Sequence, residues 1–350
     1  MIIKFKSLPE RLISPLVVNK KGSILIIVLW SVCFLSSFAV IVGLETRQKI
    51  QVVQRLDERD RLYLIAGTGI KKGIAKIKDL PLTTYDSFSD SCADDSVSFR
   101  DVGFSGGSFD IGYILEDGIN GKAGNWYGLI DEGRKININR ANRITLEKLF
   151  KIVLDFDEID AQELAASIID WRDADSELTI PIGSAEDSYY RNLTHPYEAK
   201  DAPFEVLDEI LLVKGMNEAV FTKLKDYITI YGDGRVNVNT ASKPVLLAVG
   251  LNLELVEKIL SYRYGKDEIL NTSDDNIFDI PTNIIPKLSQ SYSLSDSEVA
   301  QLSTVADQFL CTDANYFMIK IKAGLNNRKN SLEAISVVDR KGNILYWHES

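Results

Sequence analysis

Residues 20–45 read KKGSILIIVLWSVCFLSSFAVIVGLE, and this stretch decides how the rest of the chain is organised. From Ser23 to Leu44 the run is uncharged and about as long as the roughly 20 residues a helix needs to cross a bilayer. Lys20 and Lys21 precede it and Glu45 follows, with Lys4, Lys6 and Arg11 further upstream against the single acid Glu10. The positive-inside rule therefore places residues 1–22 in the cytoplasm and the long carboxy-terminal body across the membrane. A secretory signal peptide would end in small residues of the A-x-A kind, which Ile41-Val42-Gly43-Leu44 does not supply.

Working outward, Lys20-Lys21-Gly22 meets Ser23 with no spacer. A basic pair, a glycine and a long apolar helix resemble the type III leader that prepilin peptidase cuts after the glycine, which makes Gly22 and Ser23 the candidate processing residues. A glycine, lacking a Cβ, lets the scissile backbone approach an enzyme closely. A plain signal anchor remains the alternative at this point. Pilins and most pseudopilins carry a glutamate as the fifth mature residue, whereas this chain has Ile27. A carboxylate in the bilayer costs a few kcal/mol unless a partner meets it. The resemblance thus implies a tip subunit with no neighbour above it, and Ile27 as the tip-defining apolar position. Beyond the span, Ile50, Val53, Leu56, Tyr63, Ala66 and Ile70 recur at helical spacing, so residues 45–80 are expected to continue the helix and pack on a sheet.

The body reads as α+β. Ser108–Glu116, Trp126–Asp131, Tyr316–Ala323, Leu332–Arg340 and Asn343–His348 have strand character, with Arg340-Lys341-Gly342-Asn343 as a hairpin turn. Between them lies mostly helical patterning that contains a repeat: Gly133-Arg134-Lys135-Ile136-Asn137-Ile138-Asn139-Arg140-Ala141 returns as Gly234-Arg235-Val236-Asn237-Val238-Asn239-Thr240-Ala241. Each copy leads into helical runs, Ile168-Ile169-Asp170-Trp171-Arg172 answering Ile259-Leu260-Ser261-Tyr262-Arg263. The asparagines of each copy are expected to cap the helix that follows. The expected division is a leader (1–22), a transmembrane helix (23–44) and its amphipathic continuation (45–80). A small antiparallel sheet domain (81–132 and 311–350) follows, interrupted by a helical insertion (133–310) with repeats at about 133–232 and 234–310. The repeats resemble SAM-like or helix-hairpin-helix modules. In the DNA-binding form a second glycine stands where this chain has Lys214 and Val249. The formal net charge of -10 and pI near 5.0 also disfavour phosphate binding, so no nucleic acid is expected.

Residues 168–216, IIDWRDADSELTIPIGSAEDSYYRNLTHPYEAKDAPFEVLDEILLVKGM, followed by GRVNVNTAS (234–242), resemble the central signature of the GspK family of type II secretion minor pseudopilins. Gly183-Ser184-Ala185-Glu186 is one residue longer than that pattern. The resemblance implies a non-enzymatic tip subunit in a bacterial inner membrane with its body in the periplasm. It also implies minor pseudopilins of the I and J classes, prepilin peptidase and the inner-membrane assembly platform as partners, with secreted cargo or the outer-membrane secretin beyond them. A membrane-anchored periplasmic binding module is the alternative.

From Asp155 to Asp187 there are eleven Asp or Glu and one basic residue, Arg172. Asp170, Asp173, Asp175 and Glu177 precede a Pro/Gly loop that returns Glu186 and Asp187. Hard oxygen ligands on a bent loop suit Ca²⁺, which the resemblance also implies. It is no EF-hand, because Leu178 replaces the glycine and Ser184 the final glutamate. Cys92 and Cys311, both in the body, are disulfide candidates. No Ser or Cys nucleophile beside a histidine, no P-loop and no dinucleotide fingerprint is present, so no catalytic residue is expected.

Overall fold

The computed structural model describes residues 20–80, 85–116, 123–326 and 330–349. Most of the leader expected over residues 1–22 lies outside the described residues, and of Lys20 to Ser23 only the helical backbone is described. Contacts divide the chain into two units, Met1–Asp60 and Arg61–Ser350.

The first unit is the leading part of helix α1 (Lys20–Lys78). From Ile24 to Leu44 it is apolar on every face and fully exposed, as at Leu25 and Phe34. This is the one helix among the described residues long and apolar enough to cross a membrane. Its polar side chains fold back on the helix: the Ser31 and Ser37 hydroxyls donate to the carbonyls of Ile27 and Cys33, both at 2.9 Å, which lets them sit in hydrocarbon. Ile50, Val53 and Leu56, expected to pack on the sheet, are exposed instead.

In the second unit the buried stripe of α1 is Leu62, Ile65, Ala66, Ile70 and Ile77. It lies on a six-stranded antiparallel sheet, where each fully buried aliphatic or aromatic side chain contributes about 1.5–3 kcal/mol. After the short helix α2 (Ser96–Phe99), the chain forms β1 (Val102–Phe104), β2 (Gly107–Ile111), β3 (Tyr113–Glu116), β4 (Ala123–Trp126) and β5 (Ile130–Asp131). Gly73 permits the helix-to-sheet approach, since a Cβ there would sit 2.7 Å from Ile319 Cδ1.

The stretches expected as single strands, 108–116 and 126–131, are each broken. Gly112 makes the last bond to the main sheet, its N–H going to the Lys320 carbonyl of β10 at 3.1 Å, and from Tyr113 on β3 pairs only with β4 in a separate hairpin. At the second break the Tyr127 N–H goes to the Asp94 carboxylate (3.0 Å) and the Leu129 N–H to the Cys92 carbonyl (2.7 Å). The loop before β1 takes these donors away from a ladder.

The helical part runs β6 (Ile136–Asn137), α3 (Arg143–Leu154), α4 (Glu158–Arg172), α5 (Asp187–Tyr190), α6 (Glu218–Leu224), β7 (Ile228–Thr229), β8 (Val236–Asn237), α7 (Lys243–Ala248), α8 (Leu253–Arg263), α9 (Ile284–Ser291), α10 (Asp296–Phe309) and β9 (Leu310–Cys311). Strands β6 and β7 pair in parallel, and so do β8 and β9. Each copy of the repeated motif thus opens on a two-residue strand and closes on a second one beside it. One apolar core, including Phe150, Trp171, Leu246 and Ile259, runs through both copies. The chain then completes the sheet with β10 (Tyr316–Leu325), β11 (Ser331–Asp339) and β12 (Ile344–Glu349), giving the order β1-β2-β10-β11-β12 with β5 also on β10. The Arg340–Asn343 turn has Gly342 at φ 88° and the Asp339 carboxylate accepting from the N–H groups of Lys341 and Asn343.

The motif asparagines do not cap helices. Asn139 exchanges both of its amide bonds with the backbone of Phe204 (2.8 and 3.0 Å), and Asn239 does the same with Phe278 (2.9 and 2.9 Å). Asn137 and Asn237 each accept from the N–H two residues on. The α3 cap is Asn142, accepting from the Thr145 N–H at 2.9 Å, and Ser242 before α7 makes no side-chain cap bond. A buried amide pairing with distant backbone outcompetes a local cap because it satisfies two groups that have no water.

Cys92 and Cys311 are free thiols, not a disulfide. Cys92 packs in the core between α1 and the sheet, while Cys311 is tied into β9 with its thiol donating to the Asp313 carbonyl at 3.5 Å. Burial pushes both thiols above their ordinary range.

Candidate metal centre

Helix α4 carries Asp170 into the interior on its last turn, where it is fully buried beside Trp171. The helix stops at Asp173, whose N–H still reaches the Ile169 carbonyl at 2.9 Å. Arg172, which could have neutralised its neighbours, turns the other way and donates to the carbonyls of Ile138 and Ala141. The loop beyond is shaped from within: Asp175 accepts from the Glu177 N–H at 2.9 Å, and Thr179 donates its N–H to Asp170 Oδ1 at 2.8 Å. Ser184 bonds both backbone groups of Ile180, and Lys214 Nζ holds the Gly183 carbonyl at 2.8 Å. The loop therefore comes back and sets Glu186, buried, at the start of α5.

Three carboxylate oxygens in this pocket are buried without a hydrogen-bond partner: Asp170 Oδ2, Asp173 Oδ1 and Glu186 Oε1. Burial first, then the charges of Asp175 and Asp170, pushes Asp173 up to about 6. Burial first, then Asp170, Asp173 and Asp201, pushes Glu186 up to about 7. Unpaired buried carboxylates cost several kcal/mol each, a cost a polyvalent cation would remove. The donor set is all hard oxygen, which fits Ca²⁺ rather than a soft metal. Among the described residues no three His, Cys, Asp or Glu groups are drawn together as tightly as ligands around an ion. Asp170, Asp173 and Glu186 form a repelling cluster rather than a closed shell.

Of the six residues expected as ligands, Asp170, Asp173 and Glu186 are brought together. Asp175 stands at the rim, exposed, with one oxygen on the Glu177 N–H, and Glu177 is exposed. Asp187 is not available: one oxygen accepts from the Ala199 N–H (2.9 Å) and the other pairs with Arg191 (2.7 Å). The sequence reading missed Asp201, whose charge bears on both raised groups and whose N–H meets the Trp171 carbonyl at 3.1 Å. Its only local signal is the left-handed backbone, φ 51°, just before Ala202-Pro203. Lys214, at the helix-hairpin-helix-like turn, is committed to Gly183 and lies 5.2 Å from the Tyr189 ring centroid.

Residues 128–233, which contain this cluster, match the family model for type II secretion system protein K. A type II secretion system protein K from Aeromonas hydrophila is 26% identical over 194 residues, 53% of this chain and 52% of the relative. The chain thus spans about half the length of the curated relative it matches. The fold is shared with a chain in the crystal structure of the GspK-GspI-GspJ complex from the type 2 secretion system of enterotoxigenic Escherichia coli. That likeness has a TM-score of 0.60 at 17% identity and covers 87% of this chain and 99% of the other. Residues 128–233 are thus similar to type II secretion system protein K, and the fold over most of the chain is that of a chain from the GspK-GspI-GspJ complex.

Proposed function

We propose that the chain is a minor pseudopilin at the tip of a type II secretion pseudopilus, assembling there with I- and J-class minor pseudopilins to start the filament and support export. The observation that carries this reading is the fold correspondence, which covers nearly the whole of a chain solved as part of a GspK-GspI-GspJ complex. Ile27 supports it: the position is apolar and exposed on α1, suited to a subunit with no neighbour above. The one long apolar helix among the described residues fits a single-pass anchor; the inner membrane, the periplasm and cleavage between Gly22 and Ser23 by prepilin peptidase belong to the same reading. So do the assembly platform, secreted cargo and the secretin as further partners, and the 133–310 segment as a helical insertion of two SAM-like repeats. The work assigned is structural, with no catalytic residue. Co-expression of the full chain with the I- and J-class proteins of its own system should yield a ternary complex after detergent extraction. Purification of each protein alone, or unchanged secretion in a deletion strain, would end the proposal.

Asp170, Asp173 and Glu186, with Asp175 and Asp201 beside them, would hold Ca²⁺. The ion would supply positive charge to the three unpaired oxygens. The chain's own part is to fasten the end of α4 to the start of α5 across the intervening loop.

A further inference from the structure

A cleft of about 540 Å³ opens between the β3–β4 hairpin, the end of α6 and the start of α7. It is lined by Arg134, Lys135, Lys223, Lys243 and Lys320 against a single carboxylate, Asp226. The cleft is thus locally cationic on a chain whose net charge is -10. Three of the cations have partners: Lys135 pairs with buried Glu132 at 2.5 Å, Lys243 with Glu257 at 3.2 Å and Lys320 with Asp226 at 3.5 Å. Among the described residues Arg134 and Lys223 pair with no carboxylate; Arg134 lies 5.4 Å from the Phe88 ring centroid and Lys223 is exposed. Burial, with a smaller contribution from the nearby Lys135 charge, holds the Lys320 ammonium below its ordinary value against the pull of Asp226.

Apart from Ser242, the rest of the lining is apolar or aromatic, with Leu115, Ile130 and Tyr227 among it. A groove of one charge sign with low-dielectric walls concentrates ligands of the opposite sign. Inorganic anions would use only the cations, whereas a peptide that alternates acidic and apolar side chains would use both kinds of wall. We propose that this cleft docks an acidic, apolar-interleaved segment of a partner protein, with Lys223 and Arg134 taking its carboxylates. The proposal does not depend on a tip position, because the cleft's chemistry is the same wherever the chain sits.

The test uses the full chain in an uncharged detergent and a short fluorescein-labelled peptide of alternating glutamate and leucine, read by anisotropy. Expected are saturable binding that weakens as salt rises and no binding of the glutamine-for-glutamate peptide. Lys223→Glu should weaken binding on the order of tenfold at low salt, without a change in the thermal melt. Arg134→Gln should weaken it further; because Arg134 also covers Phe88, Lys223→Glu decides the matter if that variant does not fold. The proposal is overturned by no saturable binding of the acidic peptide, or by equal binding to the parent and Lys223→Glu. It is equally overturned if inorganic phosphate or phosphatidylglycerol vesicles compete more strongly than the unlabelled peptide.

Discussion

The two copies of the repeated motif share a scaffold and divide the labour. In both, an asparagine exchanges bonds with a phenylalanine backbone and an arginine at the end of the second helix donates to the carbonyl of an alanine, Arg172 to Ala141 and Arg263 to Ala241. Around that frame the residues diverge. The first copy places Asp170 and Asp173 where the second has Ser261 and Tyr264, and among the described residues the first alone gathers unpaired carboxylates. The second copy is instead tied to the sheet side: Asn237 donates to the Asp86 carbonyl and to Asp131, and Thr240 donates to Asp131 at 2.6 Å. Asn137, its counterpart, spends its amide on Tyr231 and Gly232, in the link between the copies. One scaffold serves as an anchor in one place and as a charged pocket in another, by changes at a few helix-end positions.

This comparison can be broken most directly at the shared asparagines. Asn239→Ala strips two backbone groups of Phe278 of their partners in a fully enclosed site and should cost about 3 kcal/mol. Asn139→Ala, at a half-buried position, should cost about 2 kcal/mol by the same mechanism. Urea unfolding of the two variants decides it, and equal losses would mean that the copies are not differently enclosed.

The divergence is sharpened by calcium. Binding to the folded state alone stabilises by about 2.7 kcal/mol at a hundredfold excess over Kd. A thermal melt should show this shift with Ca²⁺, show little of it with Mg²⁺, and lose it in Asp173→Ala. Ser261→Ala, at the place in the second copy that answers Asp170, should leave it intact. Identical melts in calcium and in chelator would remove the pocket's distinction.

Acid provides a third test. Asp173 and Glu186 are raised from ordinary values of 3.8 and 4.5 to about 6 and about 7. The folded state therefore holds protons that the unfolded chain has lost. Without calcium this contribution to stability is fully present below about pH 4 and is lost as pH rises through 6 to 7. Protons and calcium compete for the same oxygens, so the calcium shift should instead shrink as pH falls through that window. Asp131, raised by burial to about 6, adds the same sign without calcium but lies outside the pocket, so the difference between melts with and without the ion isolates the pocket. A calcium shift independent of pH between 5 and 8 would contradict this.

The smallest effect is expected at Asp187. Its bonds to Arg191 and the Ala199 N–H are local and partly exposed, so Asp187→Asn should cost about 1 kcal/mol or less. The calcium shift should survive unchanged. Its loss would restore Asp187 to the ligand set.

What the sequence revealed follows from the range of each interaction. The span from Ser23, the alternation in β10 to β12 and the doubled motif are patterns of neighbouring residues, and each was readable. The break after Gly112 lies where the chain exchanges its distant partner β10 for β4, and no local pattern announces where the first pairing ends. Asn139 looked like a cap because its partner, Phe204, is remote. Within the pocket, Asp170, Asp173 and Glu186 were legible as an acidic run on a bent loop. Asp201 was not, since it lies past the helix and loop that fold over it. The Arg191 partner of Asp187, one helical turn on, was the one correction that spacing alone offered.

Strands β5 and β10 pair directly, Phe317 with Asp131 and Met318 with Ile130, although everything from β6 to β9 lies between them in the chain. The excursion leaves the sheet and rejoins it at a single ladder. A pull transmitted along the sheet passes from β5 to β10 through their hydrogen bonds and does not have to travel through the helical core. Under any such pull the core is a side branch, able to carry the acidic pocket without lying in the path of the tension.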